Sequence, residues 1–213
     1  MIYRDKRELV ELLVQPTDVV LDVGFWGQGT GQSDPDWVHA LLQKRASDVY
    51  GIDLDYQEEQ VSPQDHYQKT SAESAQFPVS FDVIFAGDLI EHLSNPGLFL
   101  DACARQLKKD GRLILTTPNC FNLFNLAGKL TQFDPTVNSD HVCYFTAKTL
   151  RKLLDKNGWE TSSVDFLYTL HPKYQESWKK KFLNLLYALS ARFTPKYMET
   201  LVIVARPKSK DVE

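Results

Sequence analysis

The sequence predicts an α/β domain built on a mainly parallel sheet covered by helices on both faces, and three observations lead there. Short β-branched apolar runs such as "DVVLDVGF" and "FDVIFAGDLI" alternate with segments whose apolar residues fall at helical spacing, the pattern of strands joined by crossover helices. The first run leads into the glycine-rich stretch "GFWGQGTG", and sheets of this kind hold ligands beyond the carboxyl ends of their strands. The 213 residues, 43% of them hydrophobic, suffice for one domain with a full core. Residues 1–213 are therefore read as a single domain, with covering inserts at about 120–141 and 172–197.

Each element has its own justification. "RDKRELVELLV" places apolar residues at helical intervals and opens the chain as an amphipathic helix. "DVVLDVGF" is a buried strand ending on glycine, and "DPDWVHALLQKRA" is a helix with Asp34 as N-cap and Pro35 at its first position. "DVYGIDLD", a weaker run near "HYQKTSA", and "FDVIFAGDLI" follow as strands. Then come the helix "NPGLFLDACARQLKKDG" and the strand "RLILTTPN". "TAKTLRKLLDKNGW" is a helix ended by Gly158, "ETSSVDFLY" is a strand, residues 173–194 hold a second amphipathic helix, and "METLVIVARPK" closes the chain as a strand.

Composition narrows the function. A net charge of -4 and a pI near 5.8 give no global field for nucleic acid, so a nucleic-acid partner is not expected. Cys103, Cys120 and Cys143 form no CxxC pair, which suits a reducing compartment. No apolar run approaches the roughly 18 residues of a membrane span, and the N-terminus lacks a secretory pattern, so a soluble, cytoplasmic protein is expected. The stripe Trp178, Phe182, Leu185, Leu186, Leu189 and Phe193, next to Lys179–Lys181, fits peripheral membrane contact, with packing onto the sheet the favoured reading. Oligomeric state is left open.

Spacing decides between ligands for the glycine loop. Gly24 and Gly29 have P-loop separation, but Thr30 and Gly31 follow where Lys and Ser/Thr are needed. Neither Gly27 with Gly29 nor Gly29 with Gly31 completes GxGxxG, since Gln32 and Asp34 occupy the third position. S-adenosylmethionine has no phosphate. It needs backbone room for its ribose and amino-acid tail, and an acid for the ribose diol. Asp53, ending "YGID", supplies a carboxylate able to accept from both hydroxyls.

"LDVG", "GID", "FDVIFAGDLIEHLSNPGLFLDACARQLKKDGRLILTTPN" and "DHVCYFTAKTLRKLLDKNGW", in this order and spacing, resemble the class I S-adenosylmethionine-dependent methyltransferases of the type 11 and type 23 group. The resemblance implies a Rossmann-like sheet of seven strands, the last antiparallel. It implies a methyltransferase that uses S-adenosylmethionine, releases S-adenosylhomocysteine, and methylates an oxygen or nitrogen of a small-molecule acceptor. By resemblance Asp22 and Gly24 line the methionine tail, Gly27 and Gly29 supply the later glycines of a loop longer than the usual "GCGTG", and Asp53 with Leu54 flanks the ribose. Ser71 stands where the family often has an acid for the adenine amino group, with Ala72 beside the base. Gly87 gives clearance, and Asp88 faces the cofactor or acceptor. Phe25 and Trp26 depart from the pattern: they could stack on adenosine, roof the acceptor pocket or block the loop.

Methyl transfer is chiefly a matter of positioning, and a base is needed only for a poorly acidic acceptor. His141 is the candidate base, and the alternative is a histidine that pins its loop to a backbone carbonyl. His92 reads as structural. Asp88, Glu91 and His92, at i, i+3 and i+4, together with His141 form an alternative metal set suited to magnesium or manganese. Small-RNA 2'-O-methyltransferases and ubiquinone-pathway O-methyltransferases resemble this arrangement. The leading reading has no metal. The rival readings are a binding or scaffold protein whose loop has lost cofactor and a metal-assisted O-methyltransferase. "CFNLFNLAGKLTQF", with Phe121, Leu123, Phe124, Leu126 and Phe133, either covers an apolar acceptor or packs onto the sheet.

Overall fold

The computed structural model describes residues 1–26, 36–57, 66–122, 125, 138–168 and 194–209. Its strands are β1 (Ile2–Tyr3), β2 (Val19–Val23), β3 (Asp48–Asp53), β4 (Tyr67–Lys69), β5 (Phe81–Gly87), β6 (Leu107–Pro118), β7 (Trp159–Leu167) and β8 (Thr200–Pro207). They form one sheet in the order β1-β7-β8-β6-β5-β2-β3-β4. Every pairing is parallel except those of β8, which runs antiparallel to β6 and β7.

The sheet is of the expected kind, with the last strand antiparallel, but among the described residues it has eight strands where the family resemblance implies seven. Ile2–Tyr3 pairs with Phe166–Leu167 at the sheet edge, and two residues are too few to show a period-2 pattern. The second helix also begins later than expected: α2 spans Val38–Arg45 with Trp37 at its N-cap and no side-chain cap. Asp34 and Pro35 lie outside the described residues.

The strand period of two assigns each side chain to a face. Leu21, Val23, Ile84 and Ala86 pack toward α3 (Pro96–Gln106) and α4 (Ala147–Lys156), meeting Phe99, Leu100, Cys103, Leu150 and Leu154. Val20, Val83 and Phe85 pack toward α1 (Lys6–Leu13) and α2, meeting Leu9, Val10, Leu41 and Leu42. Asn95 caps α3 through Leu98 N–H, with Pro96 at the first turn. A Thr146–Thr149 capping box opens α4, and Gly158, at φ +77°, stands one residue beyond its C-cap, a conformation that suits glycine.

Cys103, Cys120 and Cys143 form no disulfide. No helix among the described residues is long and apolar enough to cross a membrane. The 173–194 helix and most of the 120–141 insert fall outside them.

Glu199, one residue before β8, has a carboxyl that burial pushes up to about 7 from 4.5. The unfolded chain gives up this proton first, so stability falls as pH rises from about 4.5 to about 7 and is level above. Glu199→Gln cannot ionise. Its stability relative to wild type should rise across that window by up to about 3 kcal/mol, measured by urea unfolding at several pH values.

Candidate active site

The chain passes from β2 to β3 and β4 on one side before crossing to β5 on the other, so the strand order reverses at β2. Such a reversal opens a crevice at the carboxyl ends. The crevice here is a cleft of about 140 Å³ lined by Lys6, Leu9, Asp22, Gly24, Phe25, Trp37, His39, Gly87, Asp88 and Thr116. One water needs only about 10–15 Å³ of such space, so the cleft is large enough for a ligand.

Two glycines clear its floor. Gly24 has φ +76°, donates its N–H to Ile52 O at 2.8 Å, and would place a Cβ 3.2 Å from Leu89 Cδ1. A Cβ on Gly87 would stand 3.0 Å from Phe85 Cε1. Asp88, at φ 50°, donates its N–H to Thr116 O at 2.9 Å. Its Oδ1 accepts from the Thr116 hydroxyl at 3.1 Å, and its Oδ2 lies 3.9 Å from Lys6 Nζ.

Asp22 is the buried acid of the cleft, 3% exposed. It shares the α2 face of β2 with Val20, and this places its Oδ2 3.0 Å from Nδ1 of the fully buried His39. Phe25 and Trp26, whose role the sequence leaves open, have distinct places. Phe25 turns inward, with its ring 4.7 Å from His39 and 5.2 Å from Tyr67, and its carbonyl accepts from Trp37 Nε1 at 2.9 Å. Trp26 donates its backbone N–H to Asp53 Oδ2 at 2.9 Å.

Asp53 Oδ1 accepts from Asp55 N–H at 2.8 Å. Burial pushes its carboxyl above the ordinary range, and the two N–H bonds oppose that shift. Each oxygen keeps a lone pair for a further donor. Leu54 is exposed. Ser71 accepts from Glu73 N–H at 3.2 Å and its carbonyl takes the N–H groups of Ser74 and Ala75, so its hydroxyl already serves a turn. Ala72 borders a small apolar hollow with Leu21, Ile52 and Phe99 on the α3 face. Gly27 and Gly29 lie outside the described residues.

A second cluster adjoins Asp88. Glu91 is 1% exposed. Its Oε2 accepts from the Thr117 hydroxyl at 2.9 Å, and its Oε1 has no hydrogen-bond partner among the described residues. Burial, then the nearby Asp88, pushes its carboxyl up to about 7. The Glu91 carbonyl accepts from Val142 and Cys143 N–H, which holds the 141–143 segment against it. Ligand atoms of Glu91, His92 and His141 lie within 4.8 Å of one another, and the two imidazoles stand 4.6 Å apart at 89°. His92 Nδ1 is 3.2 Å from Asp140 O. Burial, then His92, holds His141 below the ordinary imidazole range. Three of the four residues of the alternative metal set therefore converge, while Asp88 is held by Thr116 beside the first cleft. Sequence reasoning missed His39, Tyr67, Thr116 and Thr117. Each is an unremarkable residue of a helix or strand, and only the fold shows its partner.

Residues 4–164 match the family model described as a methyltransferase domain, and the chain belongs to this family, the class I S-adenosylmethionine-dependent methyltransferases. It is 23% identical over 183 residues to the ubiquinone biosynthesis O-methyltransferase of Photobacterium profundum, a match covering 79% of this chain and 74% of that one. Its fold superposes on 1,6-didemethyltoxoflavin-N1-methyltransferase of Burkholderia thailandensis, solved with 1,6-didemethyltoxoflavin and S-adenosylhomocysteine bound, with TM-score 0.61 and 15% identity over 96% of this chain and 77% of that one. A S-adenosylmethionine-dependent methyltransferase of Archaeoglobus fulgidus gives TM-score 0.60 and 16% identity, covering 93% of each chain. The cleft fits the cofactor of the family: a Cβ at Gly24 or Gly87 would crowd Leu89 or Phe85, and a buried carboxyl, Asp22, lines it.

The packing also explains a third glycine. A Cβ on Gly51 would stand 2.7 Å from Phe25 Cδ1 and 2.9 Å from Tyr67 Cδ1. Gly51→Ala should cost about 1–3 kcal/mol in urea unfolding, and the cost should shrink in a Phe25→Ala background, where one of the two obstructing rings is gone.

Proposed function

We propose that this methyltransferase methylates an oxygen of a small hydroxylated, apolar molecule. The observation that carries the reading is the Glu91–His92–His141 cluster at the end of β5, adjoining the Asp88 wall of the cleft, where an acceptor hydroxyl would meet basic nitrogens. The ubiquinone-pathway relative supports oxygen as the acceptor atom.

Bound S-adenosylmethionine supplies an electrophilic methyl group on a sulfonium. In this reading Asp53 accepts from the ribose hydroxyls, Gly24 gives the amino-acid tail backbone clearance, and Asp22 accepts from its ammonium. Gly87 leaves room at the reacting end. Leu54 and Ala72 flank the nucleoside, and Ser71 supports the turn beside it. His141, held below the ordinary imidazole range, has a free nitrogen near neutral pH and takes the acceptor's proton. Asp88, fixed by Thr116, orients the acceptor.

One observation favours a second, metal-assisted form of this reading. A buried carboxylate oxygen without a partner among the described residues, grouped with two imidazoles, is a mixed oxygen and nitrogen donor set that magnesium or manganese would complete. Glu91, His92 and His141 would hold the ion, which would supply Lewis acidity toward the acceptor hydroxyl.

The test is transfer of labelled methyl from S-adenosylmethionine to a panel of catechols, phenols and heterocyclic amines, with and without EDTA and added Mn²⁺. Methylation of a phenolic oxygen is expected, with His141→Ala slowing turnover by about a hundredfold or more. Transfer to the amines alone would overturn the oxygen reading. Loss in EDTA with rescue by Mn²⁺ selects the metal-assisted form, and activity indifferent to both selects His141 as the sole base.

A further inference from the structure

Behind the cleft, a line of buried polar groups ends on Asp22. Gln43 Nε2 donates to the Tyr67 hydroxyl at 3.0 Å, that hydroxyl lies 2.9 Å from His39 Nε2, and His39 Nδ1 lies 3.0 Å from Asp22 Oδ2. The donors can be counted. A carboxylate only accepts, so His39 carries its proton on Nδ1 and donates to Asp22. The Gln43 amide occupies the Tyr67 oxygen as a donor, so the tyrosine's own hydrogen goes to His39 Nε2. Burial pushes the Tyr67 phenol up, which keeps that hydrogen in place. Every donor in the line points toward Asp22.

The rest of the pocket is shaped around the histidine. His39 is 0% exposed, and the rings of Phe25, Trp37 and Tyr67 lie 4.7, 5.1 and 5.5 Å from it. The large residue after Gly24 in this loop is thus a lid on His39. The His39 bond goes to Asp22 Oδ2, and Asp22 lines the cleft. The line therefore ties down one carboxylate oxygen and leaves the other for a ligand.

We infer that His39, backed by Tyr67 and Gln43, is a positioning residue: it fixes the Asp22 carboxylate so that Oδ1 receives the ammonium of the cofactor's amino-acid tail. This rests on the cofactor reading above. A histidine that merely filled the core would bear on fold stability and on every ligand alike. A positioning histidine acts on the tail and leaves the nucleoside end untouched.

That difference supplies the experiment. Affinities for S-adenosylhomocysteine and for 5'-methylthioadenosine, which lacks the amino-acid tail, are measured by calorimetry on wild type, His39→Leu, His39→Asn and Tyr67→Phe, with thermal unfolding alongside. His39→Leu should weaken S-adenosylhomocysteine about tenfold or more, the scale of a lost hydrogen bond to a charged group, and leave 5'-methylthioadenosine unchanged. His39→Asn, which keeps a donor near the Nδ1 position, should recover most of the loss. Tyr67→Phe, close in shape to wild type, carries the test if His39→Leu fails to fold, and should weaken only the tailed ligand. ¹⁵N NMR of the wild-type imidazole should show Nδ1 protonated and Nε2 bare.

Equal loss of both ligands, or no loss of either in a folded variant, overturns the role of His39 while the cofactor reading stands. A wild type that binds neither ligand overturns both.

Discussion

A carboxyl buried at the end of a central strand needs a hydrogen-bond donor, because an unmatched charged group there costs a large share of a fold's marginal stability. In this protein the bond between Asp22 and His39 meets that need, and much of the cleft follows from it. His39 must sit on the α2 turn that faces β2. Its second nitrogen needs Tyr67 from β4, and the imidazole needs an aromatic box to keep water away. Phe25 supplies the lid, which in turn requires residue 51 to be glycine. The phenylalanine at position 25, a departure from the family's usual loop, is thus a local packing solution.

In the proposed reading the two halves of the site have opposite characters. The cofactor side is built from backbone clearance and fixed acceptors, all set by β2, β3 and β5 and the turns that leave them. The acceptor side is built from titrating groups: a carboxyl pushed up to about 7 and an imidazole held below its ordinary range, both moved by burial. Asp88 joins them. Its strained backbone is pinned by the N–H that it donates to Thr116 and by the Thr116 hydroxyl that donates to its side chain, and strain of this kind persists only where surrounding structure imposes it. Methyl transfer needs a rigid donor site and a responsive acceptor site, and under the proposed function this division supplies both.

Much of this was legible in the sequence because strand and helix periods act locally. "DVVLDVGF" and "FDVIFAGDLI" carry the period and the terminal glycine that place Asp22, Gly24, Gly87 and Asp88 together, and "IEH" followed by a distant histidine marks the second cluster. Residues whose meaning depends on a partner across the fold were not legible. His39 lies in an ordinary amphipathic helix, Tyr67 in a three-residue strand, and Thr117 in an apolar run, and each pairs with residues between 17 and 28 positions away. The strand Ile2–Tyr3 and the late start of α2 escaped for another reason: two residues carry no period, and Trp37 offers no capping signal.

The central claim is that this cleft, with Phe25 folded inward, receives S-adenosylmethionine. A crystal structure of the protein grown with saturating S-adenosylhomocysteine tests it most directly. The account predicts the ligand at the carboxyl ends of β2 and β3, with ribose hydroxyls on Asp53 and the amino-acid tail over Gly24 beside Asp22. A cleft that stays unchanged with no ligand in it, or a ligand bound elsewhere on the chain, would contradict it.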